Sequence, residues 1–454
     1  WKQDAIPGLV NEAWAEIGRL LSPVRSESGP ESIALYLGNP NAHNVSTTLY
    51  GPALIRALGT HQVFTASTVD QMPAQVAAGL MFGTGLSVPI PDIDRTHYFL
   101  VLGANPLVSN GSMMTAPDMP GRLRALKARG GRLVVVDPLR TRTADLADEH
   151  LRIRPGTDAF LLAAIAQTII SEGLTDTGAA TQHLTDDALA AIEGALAPFT
   201  PEAVATLTGV NADTTRRLAR ELSSAPSAAV YGRMGTTTSG VVVAGDVAQS
   251  FGTAASWLIT VLNLLTGNLD REGGVMWPLP AAGGPSTSGT PGSGRGIRVP
   301  GSQRTRVRGL ASILGEFPAA ALAEEIDTPS AGGERIRGLI TIAGNPVVST
   351  PDGGRLDDAL ASLDVMVSID AYLTETSRHA HVVLPAPSPL ARGHFDLALS
   401  TLPVRDVSRR PRRHQEERHR EDQVDHQHED TREPRRSAAV GQERRGQHGE
   451  EDHG

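Results

Sequence analysis

Two stretches of this chain place the same polar groups at the same intervals. Residues 99–109 read FLVLGANPLVS and residues 339–349 read LITIAGNPVVS. Farther on, Asp137 is followed by Thr141 and Thr143, and Asp370 by Thr374 and Thr376, in stretches that also align Ala147 with Ala380 and close on a Pro. An acid at the carboxyl edge of a strand accepts hydrogen bonds from ribose hydroxyls or a purine amino group. Asn105 and Asn345 each carry a donor and an acceptor, and a Thr-x-Thr offers two hydroxyls. A small-residue turn leading into a helix exposes backbone N–H groups and a positive dipole end, which suits phosphate. Pro106 and Pro346 hold the turn shape. One Gly-x-Asn-Pro is only a turn. The whole set occurring twice points to two nucleotide-like ligands, or one long ligand, related by a pseudo-dyad; a duplication kept for packing is the other reading.

The elements that must position these groups alternate. SIALYLG (32–38), HQVFTAS (61–67), HYFLVLG (97–103), RLVVVD (132–137) and AAVYGRM (228–234) read as buried strands. Helical runs separate them at 46–58, 118–130, 155–173 and 256–269, and 176–225 is mostly helical. The order predicts α/β architecture: two pseudo-symmetric, doubly wound, Rossmann-like domains with mainly parallel sheets. The expected organisation is an N-terminal helical remnant at 1–25 and a discontinuous α/β domain at 26–70 and 335–404. A second α/β domain, 71–334, is inserted between its pieces. Residues 279–303 are rich in Gly, Ser and Pro and read as loop. After about Arg405 aliphatic residues nearly vanish, so 405–454 reads as a disordered or frameshifted tail.

The chain has 454 residues, 40% of them hydrophobic, which suffices for more than one core. A net charge of −9 argues against a nucleic-acid partner. The absence of cysteine excludes disulfides and an iron–sulfur cluster held by this chain. No apolar stretch of about 18 residues is present, so no membrane span is expected. With no visible signal peptide, the expected location is cytoplasmic.

GANPLVSNGSM, VVVDPLRTRTADLADEHLRIRPGTDAFLLA, LNLLTGNLDREGG, AGNPVVSTPDG and SIDAYLTETSRHAHVVLPAPS, in this order, resemble the molybdopterin oxidoreductases, with VFTASTVDQMPAQVAAGLMFG (63–83) nearest to formate dehydrogenase-like members. The resemblance covers roughly residues 30–400. It implies a catalytic subunit shortened at both ends, with two molybdopterin guanine dinucleotides and a molybdenum or tungsten centre that exchanges two electrons with a small-molecule substrate. It also implies a separate electron-transfer subunit, since this chain holds no iron–sulfur cluster. Carried over by motif, Gly103, Asn105, Asp137, Arg140, Gly156 and Asp158 contact one dinucleotide. Gly344, Asn345, Asp370, Thr374 and Glu375 contact the other, and Gly232 and Gly235 lie near the pterin. The family's metal ligand is often Cys or selenocysteine. In the aligned region, 66–73, Ser67 and Asp70 are the oxygen donors and Asp70 is the candidate, although both residues also favour helix starts. Two alternatives stay open: a cofactor-free scaffold of the kind found in the large iron–sulfur subunit of NADH dehydrogenase, and a non-catalytic nucleotide-binding module.

Overall fold

A computed structural model describes residues 6–83, 85, 87–114, 116–243, 247–277, 303–330, 332, 334–386, 394–395 and 408–409. The expected loop at 279–303 (Gln303 apart) and the expected tail beyond 405 (Ser408 and Arg409 apart) lie outside these residues. Two parallel sheets organise the fold. Nine strands form them, in chain order: β1 (Ile33–Leu37), β2 (Val63–Thr65), β3 (Tyr98–Leu102), β4 (Arg132–Val136), β5 (Glu149–Leu151), β6 (Ala228–Gly232), β7 (Gly338–Ile342), β8 (Val365–Asp370) and β9 (Val382–Pro385). One sheet has the order β9-β8-β7-β1-β2 and the other β5-β4-β3-β6, with every neighbour parallel.

The two sheets share one wiring, entered at different points. In the second sheet the strands stand, by chain order, third, second, first, fourth. The first sheet repeats this arrangement when counted from β7, with β1 taking the fourth place and β2 a fifth. Strand order reverses between β3 and β6 in one sheet and between β7 and β1 in the other. Such reversals open a crevice at the carboxyl ends of the strands, where ligands bind in open α/β sheets.

Burial explains why these runs are strands. YFLVL and LVVV are apolar without alternation because helices cover both faces of a parallel sheet. Leu100, Leu102, Val134 and Val136 face the helices Asp158–Ser171, Ala212–Ser224 and Gly252–Leu265. Phe99, Val101, Leu133 and Val135 face the helix Met119–Ala128. In the other sheet Ile33, Leu35, Val365 and Val367 pack on Ile17, Leu21 and Val24 of the helix Ile6–Ser28. The N-terminal helix is therefore one wall of the first sheet and extends past the expected 1–25. The opposite wall includes Phe317, Leu322 and Ile326, and Phe317 sits 6.0 Å from Phe64 between ring centroids. Sequence order groups residues 303–327 with the insertion. Phe317, Leu322 and Ile326 lie on the first sheet instead, where they share that face with Leu356 and Leu360 of the helix Gly353–Ala361.

Candidate functional site: two matched cradles

At each reversal the chains cross in near contact. The backbone N–H of Gly38, just past β1, donates to the Ile342 carbonyl at 2.9 Å, and that of Arg233, just past β6, to the Leu102 carbonyl at 3.2 Å. A Cβ on Gly38 would lie 1.8 Å from the Ala343 carbonyl oxygen. Gly103 has φ +52, and a Cβ there would lie 2.3 Å from the Thr236 nitrogen. Its partner in the crossing is Gly235, whose N–H donates to the Gly103 carbonyl at 2.9 Å. Glycine is required at these points because backbone meets backbone. Gly232 and Gly344 lie in the same crossings, against Ile259 and Tyr36 respectively. Gly156, φ +79, abuts the Gly240 carbonyl.

The repeated Asn and the second Thr form one lock, built twice. Asn105 (φ −127, ψ 72) and Asn345 (φ −121, ψ 69) share a backbone conformation. The Thr143 hydroxyl donates to Asn105 Oδ1 at 2.7 Å, and the Thr376 hydroxyl to Asn345 Oδ1 at 2.7 Å. Each Thr oxygen in turn accepts an N–H of the Asn-Pro turn, from Leu107 at 3.2 Å and from Val347 at 3.1 Å. The helices that follow, Pro106–Ser109 and Pro346–Ser349, are single turns. The expected anion seat at these helix starts is thus partly closed: the dipole is short and those N–H groups are occupied.

What stays open is the acid edge. Asp137 Oδ1 accepts the Leu139 N–H at 2.8 Å and Asp370 Oδ1 the Tyr372 N–H at 3.2 Å, the same local turn in both copies. Asp158 is 4% exposed and opens the helix Asp158–Ser171. Its Oδ1 accepts the Thr236 hydroxyl at 3.1 Å. Burial, aided by nearby Asp137, pushes its carboxyl up to about 6. Thr374 is bound to Ser377, its N–H donating to Ser377 Oγ at 2.7 Å and its Oγ1 accepting the Ser377 N–H at 3.1 Å. Arg140 is exposed and pairs with Asp145 at 2.7 Å, outside the crossing. Glu375 Oε2 accepts from Asn345 Nδ2 at 2.7 Å, and this bond, foremost, holds its carboxyl below its ordinary value.

Sequence reasoning missed the apolar rim of each cradle. Val108 and Leu139 are exposed beside Asn105 and Asp137; Val348 and Tyr372 are exposed at the same offsets from Asn345 and Asp370. The signal was in the repeat itself, three residues after each Asn and two after each Asp.

Between the sheets runs the turn at 65–71. One side is held by Glu316, which accepts the hydroxyls of Thr65 at 2.6 Å and Ser67 at 2.8 Å, and burial raises its carboxyl above the ordinary value. The Ala319 N–H also donates to Thr68 Oγ1 at 2.9 Å. The other side faces the second sheet: the Thr237 hydroxyl donates to the Asp70 carbonyl at 3.2 Å, and Arg233 donates to Gln71 Oε1 at 3.1 Å and Ser112 Oγ at 2.8 Å. Asp70 is half-buried, and burial raises its carboxyl against the opposing pull of Arg233. Ser67 spends its hydroxyl on Glu316. Among the described residues no group of three His, Cys, Asp or Glu side chains could hold a metal ion. Glu316 was not foreseen, since it lies far along the chain from the residues it binds.

A family model described as molybdopterin oxidoreductase matches residues 11–389. The chain is 26% identical over 388 residues to the F420-dependent formate dehydrogenase 2 subunit alpha of Methanococcus maripaludis, covering 83% of this chain and 54% of that one. It is 30% identical over 407 residues to a nitrate reductase of Symbiobacterium thermophilum, covering 83% and 51%. Acetylene hydratase from Pelobacter acetylenicus superposes with a TM-score of 0.64 at 20% identity, over 85% of this chain and 53% of that one, a likeness of fold. The chain spans about half the length of the curated relatives it matches.

Proposed function

The chain belongs to the molybdopterin oxidoreductase family, and from that premise we propose that it is the cofactor-holding part of a formate dehydrogenase-like catalytic subunit. The observation that carries this reading is the duplicated lock: two cradles, alike in strand order, backbone conformation and hydrogen bonding, each with an acid edge and an apolar rim. One ligand of the resident cofactor would lie along Gly103, Asn105, Asp137, Gly156 and Asp158, with Arg140 at its outer end and Gly232 and Gly235 at the pterin side. The other would lie along Gly344, Asn345, Asp370, Thr374 and Glu375. The donor set fits a guanine dinucleotide. Asp137 and Asp370 each keep acceptor capacity beyond one turn bond, and the exposed rim side chains suit the faces of a flat ring.

When bound, the molybdenum or tungsten centre supplies the two-electron exchange with a small-molecule substrate. The chain's own residues bind and orient. Gly38 and Gly103 let the strand ends close on each other, the Asn–Thr locks fix the turns, and the clamp on 65–71 holds Asp70, the proposed protein ligand, at the crossing between the sheets. Arg233 keeps a positive charge beside that carboxyl and favours its ionised form. Electrons would pass to a separate subunit. Among the described residues no helix is long and apolar enough to cross a membrane; a cytoplasmic site of action belongs to the same proposal. So does a division into two bodies, with 303–327 assigned to the first sheet rather than to the insertion.

The test is the content of the purified chain. Molybdenum or tungsten, with about two GMP released per metal on acid hydrolysis, one for each cradle, is the expected result. Protein that acquires neither metal nor GMP when expressed in a host that makes the cofactor would overturn the reading.

A further inference from the structure

The shared lock makes the residue before its Thr directly comparable between the two cradles, and there they differ. Glu375 precedes Thr376, and its carboxylate accepts from Asn345 Nδ2 at 2.7 Å. In the other copy Arg142 precedes Thr143 and is exposed. A guanidinium cannot accept a hydrogen bond. Arg142 cannot give Asn105 Nδ2 the acceptor that Glu375 gives Asn345, and it brings a guanidinium to the matching position of the repeat. Leu139 stands at the rim of this cradle, where Tyr372 stands at the other, 78% exposed. At this position the first repeat thus carries a cation, and the second an anion that Arg378 partly offsets, with an aromatic face beside it.

We propose that the cradles have opposite preferences toward the two parts of a nucleotide. The cradle at 103–143 selects the phosphate-bearing form through Arg142 and Asn105. The cradle at 343–376 gains nothing from phosphate, because Glu375 repels it, and holds the nucleoside by the Asp370 edge and stacking on Tyr372. The inference rests on the cofactor reading above and adds to it that the halves are unequal: the inserted half takes its ligand more tightly at low salt and loses more of that advantage as salt rises.

Calorimetric titration of the full chain with GMP and with guanosine tests this. Asp370→Ala isolates the first cradle and Asp137→Ala the second. With the first cradle alone, GMP should bind about fivefold or more tightly than guanosine at low salt, the scale of one partly screened charge contact. With the second alone, GMP should bind no better than guanosine. Arg142→Glu should abolish the preference of the first cradle and Glu375→Arg should create one in the second; both side chains are exposed, so the fold should tolerate the exchanges. Equal GMP-to-guanosine ratios in the two cradles, or ratios unmoved by the charge exchanges, would overturn this inference and leave the cofactor reading standing. Failure of both probes to bind the unmodified chain would overturn both.

Discussion

Asp158 is a buried carboxyl at the proposed site. Burial, with Asp137 nearby, raises its pKa to about 6, against the Thr236 hydroxyl bond, which favours the ionised form. The unfolded chain releases that proton near pH 4. Between these values the folded state binds more protons, so stability is greatest at the acid end and falls as pH rises. The loss from this group should reach about 2–3 kcal/mol by pH 6 and stay constant above it. Urea unfolding at successive pH values should show this fall, and Asp158→Asn should flatten it. Parallel curves for the two proteins would refute the assignment. A ligand that donates to the ionised carboxylate should also release protons on binding near pH 6.

The Asn–Thr lock joins two elements that sequence reading treats separately. Thr143 and Thr376 are legible as a repeat, and the expectation offered their hydroxyls to a ligand. In the fold each donates inward to an Asn far back along the chain and accepts a turn N–H. Thr141, by contrast, caps its own helix by accepting the Ala144 N–H at 3.2 Å, as a local motif should. Replacing Thr143 or Thr376 by Val keeps the shape and leaves the turn N–H unpaired, and in the first cradle the Asn105 carbonyl too, whereas Asn345 Oδ1 keeps the Thr376 N–H at 3.2 Å; the cost should be about 1–3 kcal/mol, larger for Thr143. Hydrogen exchange at Leu107 or Val347 should then accelerate in the matching cradle only. Acceleration in both, or in neither, would show that the locks do not act locally.

At the scale of the whole molecule, the turn at 65–71 is where the chain passes from one sheet to the other, clamped by Glu316 and Thr68 contacts on one side and by Arg233 and Thr237 on the other. Glu316→Ala should free the Thr65 and Ser67 hydroxyls and reduce stability by about 1–3 kcal/mol, with Glu316→Gln milder. Protection of the amides of β2 should drop while that of β3 and β4 persists. Equal loss in both sheets would mean that the clamp is not confined to the first. The sequence by itself determined the apolar strands, the helices between them, the doubled Asn-Pro and Asp sets and the family resemblance, because each rests on local composition or spacing. The tertiary structure alone decided that the helix Ile6–Ser28 and residues 303–327 wall the first sheet, that Gly38 meets Ala343, that Thr143 and Thr376 serve Asn105 and Asn345, and that Glu316 reaches Ser67. Those pairings follow from strand order and from which elements share a sheet face, and neither quantity has a period that a linear chain can display.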